Sequence, residues 1–295
     1  MAPHGIAAVR AHLAKLPQLD SLAERRAMYD RAETVFPVSA DTVVEPVTAG
    51  GRPAEWIRAA GARTDAALLY LHGGGYAIGS PRSHRHLAAA IARVAGVACL
   101  LLDYRLAPEH PFPAAVHDAV AAHRWLLEQR GIAASRIAVA GDSAGGGLTV
   151  AALVGLRQAG LAMPGAGVCI SPWTDLTCSA PSYRERASRD PIVTLPNITV
   201  MARDYLHGAD PRAPLASPIF ADLRGLPPLL IHVGSEEVLL DDATQLAERA
   251  RAAGVDVAIE VWDPMIHVWH WFLPWLDEAQ AAVDKIGGFL KPRLT

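Results

Sequence analysis

This 295-residue chain has few of the features that would mark it as stapled, nucleic-acid-binding or membrane-embedded. It holds only 3 cysteines, an odd number without metal-ligand spacing, so neither a disulfide framework nor a zinc site is expected. Cys99 and Cys169 fall in apolar runs and read, with Cys178, as buried thiols, which suits a reducing compartment and hence the cytoplasm. Basic blocks are missing and the net charge is -3, so nothing clusters to neutralise a phosphate backbone, which argues against nucleic acid. No apolar run approaches the ~18 residues of a spanning helix, so no membrane span is expected. Arg10, His12 and Lys15 interrupt the apolar pattern of Met1 to Leu16, which breaks any signal-peptide core.

What is present is ample apolar material, 51% hydrophobic against 19% charged, enough for one large core with a small appendage. The 22 prolines and 24 glycines are scattered as turn punctuation and do not gather into a linker. Up to about residue 36 the spacing predicts two short amphipathic helices, with Ile6, Val9, Leu13 and Leu16 in the first and Leu22, Ala27 and Met28 in the second. Neither can bury its own apolar face, so both must lie on something, as a lid over a pocket or as plain packing. Thr42 to Val47 and Glu55 to Ala59 read as an antiparallel pair edging a sheet.

From Ala66 onward, strands alternate with helices, the pattern of a parallel sheet covered on both faces. Strands are predicted at Ala66 to Leu71, Val97 to Leu102, Ile137 to Ala140, Ala166 to Ile170, Leu229 to Val233 and Val257 to Val261, all apolar enough to be buried on both faces. Helices are predicted near His86 to Ala95, Ala114 to Arg130, Ala144 to Arg157, Asp241 to Ala253 and Glu278 to Phe289. One stretch, residues 172 to about 215, is far longer than a normal connection and reads as an insertion that shapes a pocket.

The segment Ile137 to Gly147 is an apolar strand running into Gly141-Asp142-Ser143-Ala144-Gly145 and then a helix. A serine hydroxyl attacks a carbonyl only if it projects clear of the backbone, which a tight strand-to-helix turn achieves at the cost of a strained serine. The pentapeptide pattern arises by chance in about one chain in ten of this length. The apolar strand before it and the helix formers after it are therefore what carry the reading. Just after the Ala66 to Leu71 strand comes His72-Gly73-Gly74-Gly75-Tyr76, whose glycines expose backbone N–H groups such as an oxyanion needs. His72 reads as a brace for that loop.

Together with Tyr104-Arg105-Leu106-Ala107-Pro108-Glu109-His110-Pro111-Phe112-Pro113-Ala114, these two motifs resemble the hormone-sensitive-lipase-like family of α/β-hydrolases, over roughly residues 45 to 290. The resemblance implies a single α/β-hydrolase domain over 1–295, with a small helical cap built from residues 1–40 and about 172–215. It implies a carboxylic ester hydrolase working through a Ser-acid-His triad without cofactor or metal. The oxyanion amides would be those of Gly74 and Gly75, with Gly73 a further candidate, and Ala144; Asp142 would orient the elbow. The base is expected at His267, with His270 as its rival. The acid is expected at Glu237, where the family usually has aspartate; Glu236 is the alternative, and Asp241 and Asp242 read as acidic residues of a helix N-terminal turn. Arg105, Glu109, His110 and Asp175 read as structural, and His84 with His86 as only a weak metal pair.

These residues lead to hydrolysis of short to medium acyl esters through an acyl-serine, with lactone opening as the alternative on the same triad. The partner is a small ester or lactone; a homodimer is left open. A non-catalytic receptor of the same fold, of which plant gibberellin receptors are the example, lacks the histidine, whereas both Ser143 and His267 are present here.

Overall fold

The computed structural model describes residues 4–295; what the sequence predicts for residues 1–3 lies outside them. Eight strands form one sheet in the order β1-β2-β4-β3-β5-β6-β7-β8. The strands are β1 (Val43–Ala49), β2 (Arg52–Arg58), β3 (Arg63–Leu71), β4 (Val97–Leu102), β5 (Ile137–Asp142), β6 (Ala166–Ile170), β7 (Leu229–Gly234) and β8 (Val257–Trp262). The hairpin β1-β2 and the β2-β4 pair are antiparallel, and every other pairing is parallel. In register, Leu71 lies beside Gly141, and Asp142 beside Ile170. The carboxyl ends of β3, β5 and β6 therefore meet on one rim, where open α/β sheets gather their sites.

Alternate residues of each strand face opposite sides. Leu69, Leu71, Val139 and Ile231 pack toward α5 (Ala114–Glu128), α6 (Ala144–Gln158) and α9 (Leu240–Ala252). Leu68, Tyr70, Ala138 and Val168 pack toward α4 (Pro81–Ala95) and α10 (Asp277–Leu290). Each fully buried leucine of these strands contributes roughly 1.5–3 kcal/mol over leaving it in water. The expectation of burial on both faces fails at β8, where no side chain is fully buried and Ala258 and Val261 are exposed, because it is the sheet's edge and its outer flank has no neighbouring strand.

The amino-terminal segment forms three helices where the sequence predicts two: α1 (Ile6–Leu13), α2 (Leu22–Asp30) and the single turn α3 (Ala32–Val35). They bury Val9, Ala32 and Phe36 against Ile266, Trp269 and Phe272 from the other end of the chain. The long connection after β6 carries α7 (Ser182–Glu185) and α8 (Leu195–Leu206). Tyr205 of α8 stacks on Tyr76 with ring centroids 3.8 Å apart, which seats the insertion on the glycine loop.

Candidate active site

Ser143 stands between β5 and α6 with φ 54° and ψ -120°, a left-handed conformation that costs about 1–3 kcal/mol for a residue with a side chain. The turn is this tight because strand and helix touch: a Cβ on Gly141 would fall 2.3 Å from the Gly145 carbonyl oxygen. Ser143 is half-buried, and its amide donates to the Ile170 carbonyl at 2.8 Å, which ties the turn to the end of β6.

His267 follows β8 and is nearly fully buried. Its Nε2 lies 2.9 Å from Ser143 Oγ, and its Nδ1 lies 2.9 Å from Glu237 Oε2. With Nδ1–H donating to the carboxylate, Nε2 carries its lone pair toward the serine. Burial on its own would lower the imidazole's pKa; the Glu237 hydrogen bond and charge override it, and the pKa is held above its ordinary value of 6.5. Glu237 is completely buried, and its second oxygen accepts from the Ser171 hydroxyl at 2.7 Å and the Gly234 amide at 2.6 Å.

The rivals face elsewhere. His270 Nε2 bonds His232 Nδ1 at 3.0 Å, and burial lowers its pKa well below 6.5. Glu236 is a surface partner of Arg189 at 3.5 Å. Asp241 accepts from the Ser182 amide at 2.9 Å and so holds the acid loop to the insertion. Asp242 lies in the first turn of α9, as the sequence suggests. Its Oδ1 also accepts from the amides of Thr174 and Asp175, at 2.8 and 2.9 Å, which ties the loop after β6 to α9. Full burial pushes its pKa up to about 7.

The glycine loop lies against the serine turn. Among the described residues, no acceptor takes the amides of Gly74, Gly75 or Ala144. The Gly73 amide, by contrast, donates to Asp142 Oδ1 at 3.2 Å, which diverts it from the space before Ser143. Asp142 also accepts from the Tyr70 hydroxyl at 2.8 Å and lies 3.3 Å from His84 Nε2. Burial would raise its pKa, yet the His84 and Tyr70 contacts hold it below the usual carboxylate range. His72 Nδ1 donates to the Gly73 carbonyl at 2.8 Å, and burial lowers its pKa to about 3, so it braces the loop as a neutral ring.

From the insertion, Met201 packs over Gly75: a Cβ placed there would come 2.1 Å from its Sδ. From α2, Arg26 donates to the carbonyls of Ala77 and Ala107 and forks onto Glu109. Arg105 forks onto Asp118. His86 donates to the Trp271 carbonyl at 2.8 Å, and among the described residues no three His, Cys, Asp or Glu are grouped to hold a metal. Sequence reasoning missed Ser171 and Asp190. Asp190, nearly fully buried, accepts from the Val238 amide at 3.0 Å beside the acid loop. The one available signal for Ser171 was a polar residue closing an apolar strand.

A serine hydroxyl, an imidazole and a carboxylate in line at the rim of a mostly parallel sheet are the arrangement of a hydrolase of the α/β type. Residues 68–271 match the family described as the alpha/beta hydrolase fold, and the chain belongs to that family, as a hormone-sensitive-lipase-like member. It is 54% identical over 268 residues to an acetyl-hydrolase of Streptomyces hygroscopicus, covering 90% of this chain and 89% of that one. An esterase of Acinetobacter venetianus is 33% identical over 265 residues, covering 90% and 87%. The crystal structure of an esterase from the bacterial hormone-sensitive lipase family superposes with a TM-score of 0.93 at 51% identity over 97% of this chain and 96% of that one. The protein is a carboxylic ester hydrolase.

Proposed function

We propose that the protein hydrolyses short to medium acyl esters through an acyl-serine, with Ser143 as nucleophile, His267 as base and Glu237 as the carboxylate that orients it. The observation that carries this reading is the unbroken line from Ser143 Oγ to His267 Nε2, 2.9 Å, and from His267 Nδ1 to Glu237 Oε2, 2.9 Å. His267 takes the serine proton as Oγ attacks the ester carbonyl. The oxyanion then forms against the amides of Gly74, Gly75 and Ala144, the last at the positive end of α6. Gly73 is left out of the donor set and serves as the contact between loop and elbow. Collapse of the intermediate expels the alcohol, which receives its proton from His267. Water, deprotonated by the same ring, releases the acid.

The bias toward small acyl groups rests on Met201 over the glycine loop and on the similarity to an acetyl-hydrolase. In the same reading, α1 to α3 and the insertion with α7 and α8 act as a cap, supported by their contacts to Ala77 and Tyr76. The buried free thiols Cys99, Cys169 and Cys178 support a cytoplasmic setting. The test is a p-nitrophenyl series of acetyl, butyryl and octanoyl esters, run beside a simple lactone, with fluorophosphonate labelling of the wild type. Turnover is expected to peak at the short esters and to vanish, along with labelling, in Ser143→Ala. Near-wild-type turnover in that variant would refute the assignment, and preferred turnover of the lactone would move the substrate class.

A further inference from the structure

Besides Tyr76 (φ 61°) in the glycine loop, three residues with side chains adopt left-handed backbone angles around the site: Ser143 (φ 54°), Ser171 (φ 45°) and Val268 (φ 48°). The first is explained by the nucleophile turn. The other two explain each other. Ser171 closes β6, is completely buried, and its hydroxyl donates to Glu237 Oε1 at 2.7 Å while accepting from the Val268 amide at 3.0 Å. Val268 is the residue after His267. One hydroxyl therefore joins the carboxylate to the peptide that carries the imidazole, in a directed run from N–H through O–H to carboxylate.

Glycine would occupy the Ser171 position without backbone strain, but it would have no hydroxyl. A strained residue kept in a buried, polar contact is a pointer to function. Resting on the triad reading above, we infer that Ser171 is a positioning residue for the reaction: it fixes Glu237 and His267 in one frame and sets how tightly the pair holds its proton. It touches neither substrate nor the reacting atoms. With its O–H donated, the carboxylate is less basic; without it, the pair binds the proton more strongly. The other charged groups that bear on His267 are Asp190 from the insertion and Asp142 from the elbow, and both stay unchanged in the test.

Ser171→Gly separates position from packing, because it relieves the backbone while removing the hydroxyl. The expected result is a kcat on short p-nitrophenyl esters lower by roughly tenfold to a hundredfold, the rate equivalent of one charge-assisted hydrogen bond. KM should stay close to wild type, and the acid limb of kcat/KM should move up by roughly one pH unit. The melting temperature should be no lower than that of Ser171→Ala. Ser171→Thr, which keeps the hydroxyl but adds a branch at a left-handed position, should show the reverse: lower stability and a retained limb. Wild-type kcat with an unmoved limb in Ser171→Gly would overturn the inference, as would a kcat loss that tracks melting temperature with the limb fixed. Glu237→Ala measured alongside keeps the two readings apart, since full activity there would remove the triad itself and leave Ser171 with nothing to position.

Discussion

The Gly73 amide and the Asp142 carboxylate are joined by a 3.2 Å hydrogen bond that binds the glycine loop to the nucleophile turn. The same carboxylate holds the Tyr70 hydroxyl, so one buried side chain fixes the end of β3 and the loop beyond it relative to Ser143. Asp142→Ala leaves the Tyr70 hydroxyl and the Gly73 amide without this acceptor. It should destabilise the fold by about 3–5 kcal/mol in urea unfolding and lower kcat in whatever folds. Asp142→Asn, which can still accept from both, should lose less. Equal losses in the two variants would mean that the hydrogen bonds are not what matters.

The raised His267 pKa makes activity and stability respond to pH in opposite directions. With His267 as the proposed base, hydrolysis needs the neutral ring, so kcat/KM should fall toward acid with a limb above 6.5. The stability gained from pairing the imidazolium with Glu237 is fully present below the unfolded-state value of about 6.5 and is lost as pH rises through the folded value. Glu237→Gln removes the carboxylate charge, so the limb should move to lower pH and kcat should drop on the order of 10⁴-fold. A pH-rate profile of the two proteins checks this; a limb unmoved by the substitution would exclude Glu237 as the partner.

Asp242 shifts stability in the same direction as His267, over a more acidic window. Its pKa is raised to about 7 by burial, so between about pH 4 and 7 the folded chain holds a proton that the unfolded chain has released, and stability falls as pH rises. Asp242→Asn keeps a carbonyl for the Thr174 and Asp175 amides and does not titrate. Relative to wild type, it should gain on the order of 2 kcal/mol or more in unfolding free energy between pH 4 and pH 8. Parallel stability curves for the two proteins would rule this out.

Met201 covers Gly75 from the insertion, half-buried and flexible. Met201→Ala should open space for longer acyl chains and raise the octanoyl-to-acetyl ratio of kcat/KM by about tenfold, the order of discrimination available to an apolar wall. An unchanged ratio would place the acyl chain elsewhere.

Much of this architecture was readable in the chain because strong local rules coincide there. Strand β4, for example, is apolar over its whole length and bounded by turn residues, and its predicted limits match the observed Val97–Leu102. The strand into Ser143 was read two residues short, since Gly141 and Asp142 look like turn yet pair with Cys169 and Ile170. What escaped was set by tertiary neighbours. Whether Gly73's amide faces a substrate or Asp142 depends on how β3 and β5 meet. That Asp242, besides standing in the first turn of its helix, holds the loop after β6 depends on a partner 68 residues away. Ser171 offers only a polar residue closing an apolar strand and Asp190 no local pattern, and only the folded chain brings them to Glu237 and Val238.

The pairing of Val9 and Phe36 with Trp269 and Phe272 sets an order of events during synthesis. Helix α1, which holds Val9, finds this apolar surface only once the residues near 272 have followed, whereas α2 and α3 can already dock on α4, where Phe36 stacks on His86. Docking α1 is a closing act, and a slow or truncated translation product would leave its apolar face to chaperones or to another copy.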